Sequence, residues 1–205
     1  LLFAAAEGKE FIIPDGVEKI ASYAFCSAAS SVIHIPDSVT KIEKMAFNMY
    51  YMTENIHIKD VTVSENNPEL VRDGQCIYKK SDKSLAVAIL HENGELRISE
   101  QVERLTPDIS VVNGGMSLEK LVYPSCLKHV TAPAFDAIRA RNVYFTGSVP
   151  PEVSIPKSFE EDALPVDCQV YVPETSADAY KVWYDEYKCY VYVDGWHTYN
   201  PEMGF

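Results

Sequence analysis

The chain has 205 residues, enough to bury a sizeable core, with 47% hydrophobic and 23% charged residues as in ordinary globular proteins. Thirty acids against eighteen bases give a net charge of −12, which argues against nucleic acid as a partner, since phosphate binding needs a basic footprint. The longest apolar run, Leu1–Ala6, is far short of the roughly 20 residues that span a bilayer, so no membrane span is expected. Five cysteines, Cys26, Cys76, Cys126, Cys168 and Cys189, are an odd number without CxxC spacing, so a disulfide framework or zinc ribbon is not expected.

In chain order, the first signal is self-similarity. Ile12–Phe25 (IIPDGVEKIASYAF) and His34–Phe47 (HIPDSVTKIEKMAF) align without a gap at a spacing of 22. Leu96–Ile109 keeps Ile98, Val102 and Leu105 of this pattern. Val122–Phe135 keeps Pro124, Leu127, Val130 and the Ala134-Phe135 pair. A longer period of 85 overlays Leu1–Ile20 on Ala86–Leu105, so Leu1–Ala6 reads as repeat material cut at a boundary. Asn55–Ile58 similarly overlays Asn142–Phe145, at a spacing of 87.

Each unit predicts a short strand, because Ile33-His34-Ile35 alternates apolar and polar positions. Proline ends the strand, having no N–H for the next ladder bond. Val17 and Ile20 turn the chain inward again, and Phe25 or Phe47 fills the space between coils. One coil cannot bury these side chains alone, so stability has to come from stacked neighbours. Between about 65 and 95, turn signals at Asp73-Gly74 and Ser81-Asp82-Lys83 predict strands at Gln75–Lys79 and Leu85–Leu90. Toward the end, Val170–Pro173 predicts a strand, and Thr175–Asp178 opens a helix to about Tyr187 as a capping-box variant. Lys188–Val193 predicts a last strand, with Trp196 and Tyr199 beyond it.

The pattern Ile-x-Ile-Pro-x-x-Val-x-x-Ile-x-x-x-Ala-Phe at a period near 22 resembles the BspA-type leucine-rich repeat over about Leu1–Gly147. The resemblance implies a β-rich leucine-rich-repeat solenoid, an α/β repeat wound as a right-handed coil, with an inserted β-hairpin. Residues 1–147 then form the repeats, and 148–205 form a C-terminal αβ cap of the same domain. The family further implies a cell-surface or secreted binding module for protein or glycan ligands, expected to be monomeric and without cofactor or catalysis. The alternative is a structural spacer with no ligand of its own.

The repeat names the side chains on display. The outward strand position holds Ile12, His34, His57, Arg97, Val122, Tyr144 and Tyr171, of which His34, His57, Arg97, Tyr144 and Tyr171 are the expected ligand-binding row. His34 and His57 on adjacent coils could share a metal, yet no third ligand or HExxH pattern accompanies them, so display is the expectation. A second row, Lys19, Lys41, Arg104 and His129, is basic in every copy. Stacked like charges repel by tenths of a kcal/mol. Nearby Glu18, Glu43 and Glu103 can relieve this as a salt-bridged edge; a stripe for an acidic partner is the functional reading. No nucleophile elbow, phosphate loop or dinucleotide fingerprint is present, which points away from catalysis.

Overall fold

The computed structural model describes residues 9–26, 28, 30–47, 58–113, 118–156, 168–187 and 195–203. In the first two coils, strands β1 (Glu10–Ile12) and β3 (Val32–Ile35) alternate with the two-residue strands β2 (Lys19–Ile20) and β4 (Lys41–Ile42). Then come β5 (Asp60–Val63), β6 (Leu70–Asp73), β7 (Cys76–Lys79) and β8 (Leu85–Ile89). The next stretch holds β9 (Glu95–Arg97), β10 (Arg104–Leu105), β11 (Ser110–Val112), β12 (Lys120–Tyr123) and β13 (His129–Thr131). The one-turn helix α1 (Ala134–Ala137) precedes β14 (Asn142–Phe145), β15 (Glu152–Ser154) and β16 (Gln169–Pro173). A 3-10 turn at Glu174–Ser176 leads into α2 (Ala177–Tyr187), and β17 (Gly195–Tyr199) follows.

The result is a β-solenoid of about six turns. Equivalent strands of successive coils pair in parallel, Glu10 opposite Val32, Val32 opposite Asp60, and likewise through β9, β12, β14, β16 and β17. The 22-residue spacing read from the sequence is the ladder register, because Phe11 faces Ile33 and Ile12 faces His34. The short strands form a second set of ladders on another side of the coil, β2 with β4, and β10 with β13 and β15.

Inward positions obey the alternation. Ile33, Ile35 and Val61 are buried, as are Leu96, Leu121, Val143 and Val170 in the later coils. The Ala-Phe step fills the coil interior, where Phe25 stacks on Phe47 with centroids 5.2 Å apart. The residue just before that step, Tyr23 or Met45, has φ near +60°, a left-handed turn repeated in register. That turn lets the Phe25 N–H donate to the Ala46 carbonyl of the next coil at 3.0 Å.

Between β5 and β9 the parallel ladder stops. β6, β7 and β8 form an antiparallel meander, and β11 adds in parallel to β8. Side chains cover the two interrupted ladder edges. Arg72 donates from Nη1 to the Val61 carbonyl and to Asp60 Oδ1 beside β5. The Gln75 amide donates to the Glu95 carbonyl at 2.8 Å and accepts from the Arg97 N–H at 3.3 Å, standing in for a strand beside β9.

Candidate functional site

Strand alternation and parallel register together build one row on the outer face of the later coils. Arg97, Val122, Tyr144, Tyr171 and His197 stand opposite one another on β9, β12, β14, β16 and β17. The Tyr144 and Tyr171 rings stack with centroids 4.4 Å apart and planes 10° apart, close to the inter-strand spacing that sets them. His197 continues the stack on Tyr171 at 4.8 Å and 24°. Tyr199 packs edge-on against Tyr144, and its hydroxyl donates to the Phe145 carbonyl at 3.1 Å.

The row one rung earlier is polar and buttresses the first. Lys120 Nζ lies 5.3 Å from the Tyr144 ring centroid and 3.4 Å from Glu95 Oε1. Gln169 Oε1 accepts from His197 Nε2 at 2.8 Å. Gly195 occupies this row on β17, where a Cβ would run into the Gln169 amide, so glycine leaves that amide room to hold the imidazole. Burial, with Tyr171 adding to it, pushes the Tyr144 phenol above its ordinary range, and burial does the same for Tyr199. Both hydroxyls are therefore neutral at physiological pH. Because Tyr144 and Tyr171 are stacked on each other, their faces are partly spent, and the row offers ring edges and hydroxyls to a ligand.

The other predicted residues fall elsewhere. His34 stands on the outer row of the first sheet between Ile12 and Thr62; its Nδ1 is 2.7 Å from Thr62 Oγ1 and its Nε2 is 3.5 Å from Glu10 Oε2. On the following coil β3 pairs with β5, so Thr62 is the register neighbour of His34 there, and His57 lies outside the described residues. Among the described residues no cluster of three or more His, Cys, Asp or Glu could hold a metal ion. Val122, on the aromatic row, is buried.

The basic row divides between two sheets. Lys19 stands beside Lys41, and Arg104 stands beside His129. Acids from the same or the next coil enter both parts. Lys19 Nζ bonds Glu43 Oε1 at 2.8 Å, Lys128 bonds Glu103 at 2.7 Å, and His129 Nδ1 is 3.1 Å from Glu152. The hydrogen bond from Lys19, then that from the Ser22 amide, holds the Glu43 carboxyl below its ordinary range.

At the C-terminal end, Trp183 and Tyr180 of α2 are buried against the solenoid, and Trp183 Nε1 donates to the Pro151 carbonyl at 2.7 Å. Trp196, expected beyond the last strand, lies within β17 and packs on Tyr184 at 5.0 Å, because the Gly195–Tyr199 segment alternates like its predecessors. The proposed strand at Lys188–Val193 and the segment Leu1–Ala6 lie outside the described residues. Sequence reasoning missed His197, Lys120 and Gln169. Aligning GWHT on QVYV and NVYF would have placed His197 in the row.

Comparison with known proteins bears on the early coils. A family model described as the BspA type leucine rich repeat region (6 copies) matches residues 2–70. The coils in that stretch are BspA-type leucine-rich repeats. No curated protein matches the sequence. Among solved structures, a leucine-rich repeat protein from Eubacterium ventriosum is 17% identical, with a TM-score of 0.45. That match covers 85% of this chain and 50% of the other, so the chain spans about half of that relative. The pneumococcal vaccine antigen PcpA is 13% identical with a TM-score of 0.31, over 93% of this chain and 67% of the other. Beyond residues 2–70 the same parallel register turns one side chain per coil into a continuous row, as at Tyr144, Tyr171 and His197.

Proposed function

We infer that this chain is a non-catalytic module of a surface-exposed or secreted bacterial protein. It recognises a protein or glycan ligand through the outer face bearing Arg97, Tyr144, Tyr171 and His197. The carrying observation is the stacked Tyr144–Tyr171–His197 row on the outside of the sheet. Rigid aromatic side chains with neutral hydroxyls make anchors of low entropic cost, the composition that binding surfaces favour. Within this reading the coil is right-handed, as parallel β connections are. The β6–β8 meander is the insert between repeats, and residues 148–205 close the array with α2 as the cap.

Arrays of glycans and extracellular-matrix proteins, probed with the folded monomer, test the reading. Binding should appear, and Arg97→Ser with Tyr171→Ser should remove it while the far-ultraviolet circular dichroism stays unchanged. Blank arrays at high protein concentration would leave the spacer reading in its place.

A further inference from the structure

The first three coils carry a second feature, independent of the aromatic face. Over the ends of β1, β3 and β5 lies an open groove of about 840 Å³. Its walls are Ile12, Pro36, Val63 and Pro68, together with His34 and Thr62. Ile12 is 71% exposed, an isoleucine on the outward row where its register neighbours on β3 and β5 are His34 and Thr62. Asp15 and Asp37 line the same groove, and none of its described lining residues is Lys or Arg.

These two carboxylates occupy the same loop position, just after the strand-ending proline, in successive coils. Glu65 follows them in the third coil, and all three are exposed. The loops do not need them. The cross-coil bonds are made by Ser38, whose hydroxyl accepts from the Gly16 N–H at 3.1 Å and donates to the Val17 carbonyl at 2.9 Å. In the fourth coil the equivalent acid, Glu100, is used structurally: it accepts from the Ser125 N–H at 3.1 Å and from the Ser125 hydroxyl at 2.9 Å. Asp15 and Asp37 have no hydrogen-bond or ion-pair partner among the described residues. Two like charges stacked on adjacent coils repel each other, and a cation placed over them relieves that repulsion.

We propose that this groove docks an extended, basic segment of a partner protein, with Lys or Arg over Asp15 and Asp37 and apolar neighbours against Ile12, Pro36 and Pro68. Charge complementarity selects that occupant. The net charge of −12 extends the attraction beyond the groove and gives association a marked salt dependence. A long basic side chain suits both halves of the site, since its aliphatic stem covers apolar surface while its charged head stays in water.

Panning a random decapeptide library displayed on phage against the whole chain tests this, followed by fluorescence anisotropy with the recovered peptides. The expected peptides pair Lys or Arg with apolar residues and weaken about tenfold on the Asp15→Asn, Asp37→Asn double variant. They should hold unchanged affinity for the Tyr144→Ser, Tyr171→Ser variant. Both aspartates are exposed and unbonded, so the double variant should melt with the parent. Neutral or acidic peptides, equal binding to the double variant, or no enrichment at all would overturn the proposal. Loss on the tyrosine variant alone would overturn it too, while supporting the aromatic face.

Discussion

At the residue scale, Asn67 shows how one side chain can fix a coil. It is fully buried, and its amide is satisfied in every direction. Nδ2 donates to the carbonyls of Pro36 and Val39 at 2.7 and 2.8 Å, and Oδ1 accepts from the N–H groups of Glu69 and Leu70 at 3.0 and 2.7 Å. Asparagine therefore ties the second coil to the start of the meander, using donors and acceptors that neither turn could satisfy alone. An isosteric carboxylate reverses half of this, setting an anionic oxygen against two carbonyls. Asn67→Asp should cost about 3 kcal/mol or more, and Asn67→Leu about as much through the four backbone hydrogen bonds it removes. Urea unfolding measures both, and a loss below 1 kcal/mol for either would show that the peg is dispensable. Nothing in the sequence says which of the neighbouring Asn66 and Asn67 faces inward. Burial is decided by the two coils that meet there.

At the scale of elements, the repeats were legible, as were two strands of their interruption, but not how that interruption is sealed. Pro14 and Pro36, the paired Ile20 and Ile42, and the two Ala-Phe steps set a spacing that became the parallel register. Turn signals placed strands at Gln75–Lys79 and Leu85–Leu90, and the structure has β7 at Cys76–Lys79 and β8 at Leu85–Ile89. What periodicity cannot report is how a broken ladder is sealed, because the sealing groups are side-chain amides and guanidinium N–H groups outside the strand pattern. Gln75 is the clearest case. Replacing it by glutamate keeps an acceptor for the Arg97 N–H but aims a negative oxygen at the carbonyls of Ile89 and Glu95, which it now bonds at 3.2 and 2.8 Å. Gln75→Glu should destabilise by about 1–3 kcal/mol, and the Arg97 amide should exchange faster with deuterium as β9 frays. Unchanged exchange at β9 would mean that Gln75 does not guard that edge. The aromatic row was half legible for a related reason: Tyr144 and Tyr171 follow from alternation, whereas His197 depends on recognising a further coil where Tyr199 stands at the register position of Pro173.

At the scale of the molecule, the buried side chains among the described residues form two clusters rather than one. The first runs from Ile13 through Ile33, Phe47 and Val61 to Val112, and the second from Cys76 through Leu121 and Val130 to Trp183. They meet along β7 and β8. Cys76 belongs to the second cluster and Ile77 to the first, and every residue of β8 is buried, with Val87 and Ile89 facing one cluster and Leu85 and Ala88 the other. In a solenoid each coil is stabilised by its neighbours, so damage should spread only as far as the interface energies allow. Ile33→Ala removes packing from the middle of the first cluster at a cost of about 2–5 kcal/mol. Hydrogen exchange should then quicken over β1, β3 and β5 while β12, β14 and β16 keep their protection. Val87→Pro strikes the shared wall instead. It removes a ladder donor from a strand paired on both sides and forces a ring into a fully buried site, so protection should fall in both clusters together. If Ile33→Ala loosened the late coils as much as the early ones, the two clusters would be one cooperative unit. The wall at β8 would then be only a continuation of the core.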